Sequence, residues 1–352
     1  MSISSISTAY LNSALLPAVN QAQSQLASLE VEASTGQYAD LGLQLGSQSG
    51  YELSLRSQDD LLQTMTTANG ITNSNLSAAS AALTALKSSA QSTAATLVTW
   101  TSSGSTNTSI LQNYGQNALQ QLIALGNTTS GDAYVFGGQN SGVAPLNDYY
   151  ASPTSSAKTA LDSSFQTYFG FSTSSPQVSN ITASQMQAFL TGPFATQFQG
   201  SNWTSNWSTA SSVNTSTQIA PGQTVETSTN ANTAGFQQLA QGFAMLSEFG
   251  AIGLSSAAQQ ALAGAATTVI DKGVSSITDT QSSLGSVQSE ITQANDQMSA
   301  QMTLLQTSLG SMDSVDAAKV STELTTLTTQ LQTAYQLTSQ LHSLNLAQYL
   351  PA

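Results

Sequence analysis

The residue types that usually carry catalysis are scarce in this chain. It contains no cysteine and one histidine, His342, which excludes thiolate catalysis, cysteine metal sites and multi-histidine cages within it. A Ser-His-Asp triad could form only around His342. The acidic pairs Asp59–Asp60 and Asp313/Asp316 lack the alternating ligands and central glycine of a calcium loop, and no glycine-rich segment fits a phosphate-binding motif. We therefore predict no catalytic residue, no cofactor site and no metal site.

The charge composition narrows the possible partners. The 352 residues carry five Lys+Arg against eighteen Asp+Glu, for a formal net charge of -13. The five basic residues are scattered, whereas nucleic acids and anionic membranes require clustered ones, so we expect neither partner. Charged residues make up 7% of the chain, against about 25% in typical soluble domains. The polar surface must therefore come from Ser, Thr, Gln and Asn.

No targeting or membrane-spanning segment is evident. No apolar stretch approaches the roughly 18 residues of a transmembrane helix. The first nineteen residues lack the basic region of a secretory signal. If the protein leaves the cell, we expect it to use another route.

A group of aromatic residues in the middle of the chain permits two interpretations. Stacked aromatics could form a platform for carbohydrate, but a hydrophobic core is the simpler reading and the one we favour. An enzymatic alternative would be a hydrolase built on Asp148, Asp162 or Glu226. The aromatic group comprises Tyr149, Tyr150, Phe165, Tyr168, Phe169, Phe171, Trp203 and Trp207.

The strongest pattern in the sequence belongs to a long helix. From Leu62 to Trp100, apolar or small residues recur at alternating spacings of three and four. At about 1.5 Å per residue this run predicts a helix roughly 60 Å long. Such a helix needs long partners to cover its apolar stripe.

Both ends of the chain offer such partners. An N-terminal helix is predicted to stop at Gly36, and the C-terminal pattern breaks between Gly310 and Asp316. Many residues on these stripes are small or hydroxylated, so two helices alone would bury little apolar surface. We therefore expect the terminal helices to become ordered mainly in an assembly. The predicted self-assembly residues are Leu15, Val19, Leu26, Leu29, Leu284, Val287, Ile291, Met298, Val320, Leu324, Leu327, Leu331 and Leu341.

The middle of the chain interrupts the helical pattern. Five prolines fall between residues 131 and 230, a short strand is predicted over Tyr134–Phe136, and a hairpin is predicted around Pro221–Gly222. Further helices are predicted over residues 110–125, 157–168, 184–198 and 236–249. The predicted fold is mainly α, with long antiparallel terminal helices forming a coiled-coil rod and a small mixed α/β insert domain at its far end. The predicted domains are residues 1–50 (N-terminal assembly helix and loop), 51–131 (outgoing helices), 132–231 (insert), 232–284 (returning helices) and 285–352 (C-terminal assembly helices).

Local motifs resemble the flagellin superfamily of axial proteins. Ser34–Thr35–Gly36 is similar to the segment that follows the first helix in that family, although the loop after Tyr38 departs from the pattern of many relatives. A second motif is similar to the G-x-Y-L-F-x-G…P signature of FlgL-type hook-associated proteins, and a third resembles the middle segment of their alphaproteobacterial branch. The residues that carry these two motifs are Gly131, Tyr134, Phe136, Gly137, Gly138 and Pro145, and then Trp203 and Trp207.

The resemblance implies a structural, non-enzymatic role outside the cell. It implies export through the flagellar type III apparatus with the help of a chaperone, followed by assembly at the junction between hook and filament. Its partners would be copies of itself in a ring or helix, a neighbouring hook-associated protein, and flagellin. Two other functions remain open, namely a filament subunit (flagellin itself) and, less favoured, an extracellular carbohydrate-binding adhesin.

Overall fold

The computed structural model describes residues 8–104 and 107–347, with side-chain surroundings for residues 15–104 and 107–340. These residues are mainly helical. The α-helices are α1 (Thr8–Thr35), α2 (Leu41–Leu45), α3 (Ser49–Ser102), α4 (Thr108–Gly126), α5 (Ser156–Phe169), α6 (Ala183–Thr191), α7 (Gly200–Asn206), α8 (Ala234–Phe249), α9 (Ser256–Asp313) and α10 (Ala317–Ala347). The strands are β1 (Thr129–Ser130), β2 (Ala133–Tyr134), β3 (Ser216–Ala220) and β4 (Gln223–Glu226).

The chain divides into two compact units. The terminal unit comprises residues 1–63 and 299–352, and the central unit comprises residues 64–298. Both divisions fall inside the longest helices, α3 and α9. The predicted mainly α fold, with long helices and a small strand-containing insert, is confirmed.

The long helix predicted from Leu62 is confirmed and begins earlier than the pattern suggested. Helix α3 has 54 residues, which corresponds to about 80 Å at 1.5 Å per residue. In the terminal unit its apolar stripe already includes Leu55, which is buried like Leu62. A spacing of seven residues places both leucines on one face of the helix.

Two predicted helix breaks are confirmed, and each has a local cause. Helix α1 ends at Thr35, and Gly36 follows with φ of 72°, a left-handed conformation that glycine adopts without steric cost. Helix α9 ends at Asp313, and α10 begins at Ala317. The carboxylate of Asp316 accepts hydrogen bonds from the first backbone N–H groups of α10, at Ala318 (2.9 Å) and Lys319 (3.2 Å).

The hairpin predicted around Pro221–Gly222 is confirmed as the antiparallel pair β3–β4. The strand predicted over Tyr134–Phe136 is wrong in extent, because β2 stops at Tyr134 and pairs with β1. The backbone N–H of Gly137 donates back to the carbonyl oxygen of Tyr134 at 3.3 Å, which turns the chain at this point. A side chain is not tolerated at Gly137, since its Cβ would lie 2.7 Å from the carbonyl oxygen of Asn140.

The helix predicted over residues 184–198 is also wrong in extent. Helix α6 ends at Thr191, and a short 3-10 helix covers Ala195–Phe198. Gly192 and Pro193 separate the two, and proline disfavours a helical conformation in the residue before it. The other helices predicted in the middle, over residues 110–125, 157–168 and 236–249, correspond to α4, α5 and α8.

Helix α8 lies at the centre of the central unit and is buried along most of its length. It packs closely on α4, and a Cβ at Gly115 of α4 would overlap the backbone of Leu246 and Ser247. Gly242 of α8 similarly approaches Ile270 of α9. Glycines at these positions let the helix axes come close enough to exclude water.

Two aromatic clusters form the core of the insert. In the first, Phe165 contacts Phe189 and Phe249, with ring centroids 5.6 and 5.4 Å apart. In the second, Trp207 stacks on Tyr149 at 5.1 Å and on Trp203 at 5.8 Å. These rings are almost completely buried. For these rings, the hydrophobic-core interpretation is therefore confirmed, and the carbohydrate platform is not.

None of the described helices combines the length and the apolarity that crossing a lipid bilayer requires.

Candidate assembly surface

Helices α1 and α10 form an antiparallel pair in the terminal unit. The amide of Gln23 donates to the hydroxyl of Tyr335 at 2.6 Å. Further along the pair, the backbone N–H of Val315 donates to the carbonyl oxygen of Gly36 at 3.0 Å. Later residues of α1 therefore lie beside earlier residues of α10, as in an antiparallel pair.

The predicted self-assembly residues of this pair are only partly covered. Val320 and Leu331 are buried, at 5% and 6% exposure. Six others are half-buried, namely Leu15, Val19, Leu26, Leu29, Leu324 and Leu327. Leu341 lies outside the residues whose side chains are described. Two helices facing each other cannot cover their stripes on all sides, so apolar area remains accessible to a further partner.

The remaining self-assembly residues lie on α9 in the central unit and already have partners within the chain. Leu284, Ile291 and Met298 are buried, and Val287 is half-buried. Beside them, Gln288 donates to the hydroxyl of Ser77 on α3 at 3.0 Å. These four residues stabilise the fold of the monomer, and their role between subunits stays a prediction.

A groove of about 620 Å³ opens between α1, α10 and the loop that joins α1 to α2. Apolar side chains in it include Leu29 and Leu327, and Leu43 on the same groove is 85% exposed. The charged residues that line it are Glu32, Asp40, Asp316, Lys319 and Glu323. The groove therefore combines an uncovered apolar surface with an excess of negative charge.

The threonine hydroxyl groups of α10 are already satisfied by the helix's own backbone. Threonine side chains donate to the carbonyl oxygen four residues earlier, at distances of 2.7 to 2.9 Å. Those threonines are Thr322, Thr325, Thr326, Thr328, Thr329, Thr333 and Thr338. Burying an unpaired donor costs free energy, whereas donors paired in this way can be covered without that penalty. The surface is polar in composition yet suited to close packing.

An ion cluster holds the end of α9 in the terminal unit. Arg56 on α3, the one arginine of the chain, donates to Glu52 at 2.6 Å and to Asp313 at 2.9 Å. Both carboxylates are nearly buried, while Arg56 is about half exposed. The hydrogen bond with Glu52 contributes most to raising the pKa of Arg56. The carbonyl oxygen of Asp313 also accepts from the N–H of Tyr38 at 3.1 Å, so the end of α9 is held both by α3 and by the segment that follows α1.

Comparison with known proteins identifies the family. Residues 6–141 match the bacterial flagellin N-terminal helical region, and residues 267–350 match the bacterial flagellin C-terminal helical region. Together the two regions span more than half of the chain. The chain belongs to the flagellin superfamily. Proteins of this superfamily are structural subunits that self-assemble into helical flagellar structures, which fits the partly covered α1–α10 pair.

A solved structure with a similar fold comes from another bacterium. It is a protein from Vibrio parahaemolyticus described as a flagellar hook-associated protein, with 12% sequence identity and a TM-score of 0.51. The match covers 76% of this chain and 97% of the Vibrio chain. Among curated proteins, none matches the sequence.

The signature residues of this flagellin-superfamily chain lie together in the central unit. Gly131, with φ of 59°, forms the turn between β1 and β2. Phe136 is fully buried against Phe236 on α8, at 5.0 Å between ring centroids. Gly138 adopts φ of 61°, and a Cβ there would lie 2.5 Å from the carbonyl oxygen of Ser211.

Backbone hydrogen bonds join the segment that leads into the insert to the segment that leads out of it. The carbonyl oxygen of Phe136 accepts from Ala231 at 2.9 Å, and that of Pro145 accepts from Thr209 at 2.9 Å. Trp203 donates through its indole N–H to the side-chain oxygen of Asn232 at 2.9 Å. The signature residues thus hold together the two segments where the chain enters and leaves the insert. This structural role was not evident from their spacing in the sequence.

The carboxylates considered for a hydrolase have structural partners. Asp162 lies 3.7 Å from the ammonium of Lys158, and the carboxylate of Asp148 accepts from the N–H of Tyr150 at 2.9 Å. Glu226 accepts from Asn214 at 3.5 Å. The described residues hold no cluster of three or more metal-binding side chains. His342 lies outside the residues whose side chains are described.

Proposed function

We propose that this chain is the flagellar protein that joins the hook to the filament, and that it assembles through α1 and α10. The observation that carries the assembly role is the incomplete burial of the α1–α10 pair, where six predicted self-assembly residues remain half-buried. Packing against copies of itself would cover them. In this role the protein is exported with a chaperone through the flagellar apparatus and contacts a hook-associated protein on one side and flagellin on the other.

The junction assignment rests on sequence motifs and the fold. The Gly131–Gly138 segment with Pro145, and the pair Trp203 and Trp207, resemble the signature of hook-associated proteins. The structure of the Vibrio protein described as hook-associated shares the fold. A junction protein needs one surface for the hook side and another for flagellin, so its own growth must stop.

A filament subunit is the second candidate. Matches to the flagellin helical regions at both ends favour it, since a filament subunit uses the same terminal helices. The two candidates differ in one physical property. A filament subunit binds copies of itself without limit, whereas a junction protein does not.

Deletion of the gene in its own bacterium tests the junction role. We expect hooks without filaments, with flagellin monomers released to the medium, and restoration by the wild-type gene. Immunogold labelling of restored flagella should mark the hook–filament boundary. Normal filaments in the deletion strain, or labelling along the whole filament, would contradict the junction role.

Polymerisation of the purified protein separates the two candidates directly. With flagellin seeds, and at concentrations where flagellin polymerises, we expect this protein to form no long filaments by electron microscopy. Growth of micrometre filaments would favour the filament subunit.

A further inference from the structure

A second groove, of about 460 Å³, lies on the insert of the central unit. This volume falls in the range of about 300–1,000 Å³ that small-molecule sites occupy. Its lining contains no charged residue. The lining residues are Tyr168, Phe169, Phe171, Gln177, Asn180, Ile181 and Gln185.

The aromatic side of this groove is held in place by the core beneath it. Tyr168 contacts Phe169 at 4.8 Å and buried Phe189 at 5.4 Å between ring centroids, yet remains 41% exposed. Gly170 follows with φ of 81° and ends α5, which lets Phe171 fold back to 6.0 Å from Phe169. Rings fixed in this way present a surface that loses little conformational entropy when a ligand packs on it.

The polar side of the groove carries unused hydrogen-bonding groups. Among the residues that the structure describes, the side-chain amides of Gln177 and Asn180 have no hydrogen-bond partner. The side-chain oxygen of Gln185 accepts from the backbone N–H of Thr182 at 3.0 Å as part of a capping box, while its NH₂ group remains available to donate. Each free carboxamide can both donate and accept.

We propose that this groove binds a neutral saccharide. A pyranose ring has an apolar C–H face, which packs on an aromatic ring, and a rim of hydroxyl groups that both donate and accept. Tyr168 supplies the exposed ring, and Gln177, Asn180 and Gln185 supply the matching amides. The uncharged lining favours neutral over acidic sugars, since it offers no cation to a carboxylate and the chain as a whole is strongly acidic. The inference is independent of the axial role.

Glycan-array binding of the full-length protein tests the proposal. The array holds neutral oligosaccharides ending in glucose, galactose, mannose or N-acetylated hexosamines, and a separate arm holds sialylated ones. Titration calorimetry then measures the affinity for the best neutral oligosaccharide. We expect binding in the neutral arm and at least tenfold weaker binding for Tyr168→Ala. Tyr168→Phe should retain most of the affinity because it keeps the ring.

Two further variants keep the test independent of folding. Tyr114→Ala is the matched control, because Tyr114 on α4 is 42% exposed and lies in a different groove; its affinity should be unchanged. The double variant Gln177→Ala with Asn180→Ala should weaken binding at least tenfold without lowering the melting temperature. Absence of neutral-glycan binding at millimolar concentration, binding confined to the sialylated arm, or equal losses in Tyr114→Ala and Tyr168→Ala would each overturn the proposal.

Discussion

The same spacing of apolar residues gives different degrees of burial in the two units. In the central unit, Leu76, Leu83 and Leu86 of α3 are at most 2% exposed. In the terminal unit, the stripes of α1 and α10 follow equivalent spacing, but residues such as Leu26 and Leu327 remain half-buried. Apolar periodicity therefore identifies the face that will be covered without indicating whether the covering comes from within the chain.

The physical difference lies in the number of elements available. In the central unit, α4 and α8 pack together, and the aromatic clusters of the insert add further buried surface. Helices α1 and α10 pack chiefly on each other. Burial of apolar surface contributes about 25 cal/mol per Å², and a pair that leaves its stripes half-covered forgoes part of that stabilisation until another subunit arrives.

Removing an aromatic ring from the central core should produce the largest loss of stability. Trp207→Ala leaves a cavity between Tyr149 and Trp203, so we expect the free energy of unfolding of the central unit to fall by about 3–5 kcal/mol. Urea denaturation followed by tryptophan fluorescence measures this. An equal loss of unfolding free energy for Leu26→Ala in the α1–α10 pair would contradict the difference between the two units.

Alkaline pH should also act on the central core. Burial raises the pKa of Tyr150 to about 12, against the opposing effect of its hydrogen bond with Ser247. Burial also raises the pKa of Tyr149, and the negative charge of Glu248 raises it further. Unfolded tyrosine has a pKa of about 10. The folded state holds these protons more tightly, so the stability they provide is complete below pH 10 and is lost as the pH rises toward 12. Melting curves across this range, with tyrosinate absorbance, should show the loss, and Tyr150→Phe should reduce it.

Local signals predicted much of the fold, whereas contacts between distant segments could not be predicted. The stop at Gly36, the break before Ala317 and the β3–β4 hairpin depend on residues adjacent in sequence. The Arg56–Asp313 contact joins residues 257 positions apart, and no local pattern indicates it. Trp203 and Trp207 were selected by resemblance and as members of the aromatic group, but neither signal indicated that Trp207 stacks between Trp203 and Tyr149. The half-covered surface of α1 and α10 was predicted from the small and hydroxylated residues on their stripes.

The Arg56 cluster offers a smaller perturbation confined to the terminal unit. Arg56→Met leaves the carboxylates of Glu52 and Asp313 without their cation. Because Arg56 is half exposed and water can compensate in part, we expect a loss of roughly 1–2 kcal/mol. Amide exchange at the last turn of α9 should quicken. Lys319→Met is the control, since its 3.9 Å pair with Glu323 is exposed and should contribute less than about 0.5 kcal/mol. Equal losses of stability in the two variants would show that the Arg56 cluster does not stabilise the terminal unit.

A charge on the half-covered stripe should affect assembly far more than the monomer. Leu327→Asp should change the melting temperature of the monomer only slightly, yet block incorporation into the axial structure, because an aspartate buried between subunits would be desolvated without a partner. Thr329→Asp on the exposed side of α10 is the matched control. Incorporation is measured by fractionating flagella from a complemented deletion strain. Normal incorporation of Leu327→Asp would show that this face points to solvent in the assembly.

Hydrogen exchange of the same protein as monomer and in assembled flagella tests most directly whether the terminal pair is completed by other subunits. We expect amides of α1 and α10 to exchange fast in a verified monomer and to become protected on assembly, while those of α4 and α8 are protected in both states. Limited proteolysis of the monomer should likewise trim about 40 residues from each end and spare residues 60–280. Strong protection of α1 and α10 in the monomer, equal to that of α4 and α8, would contradict the account.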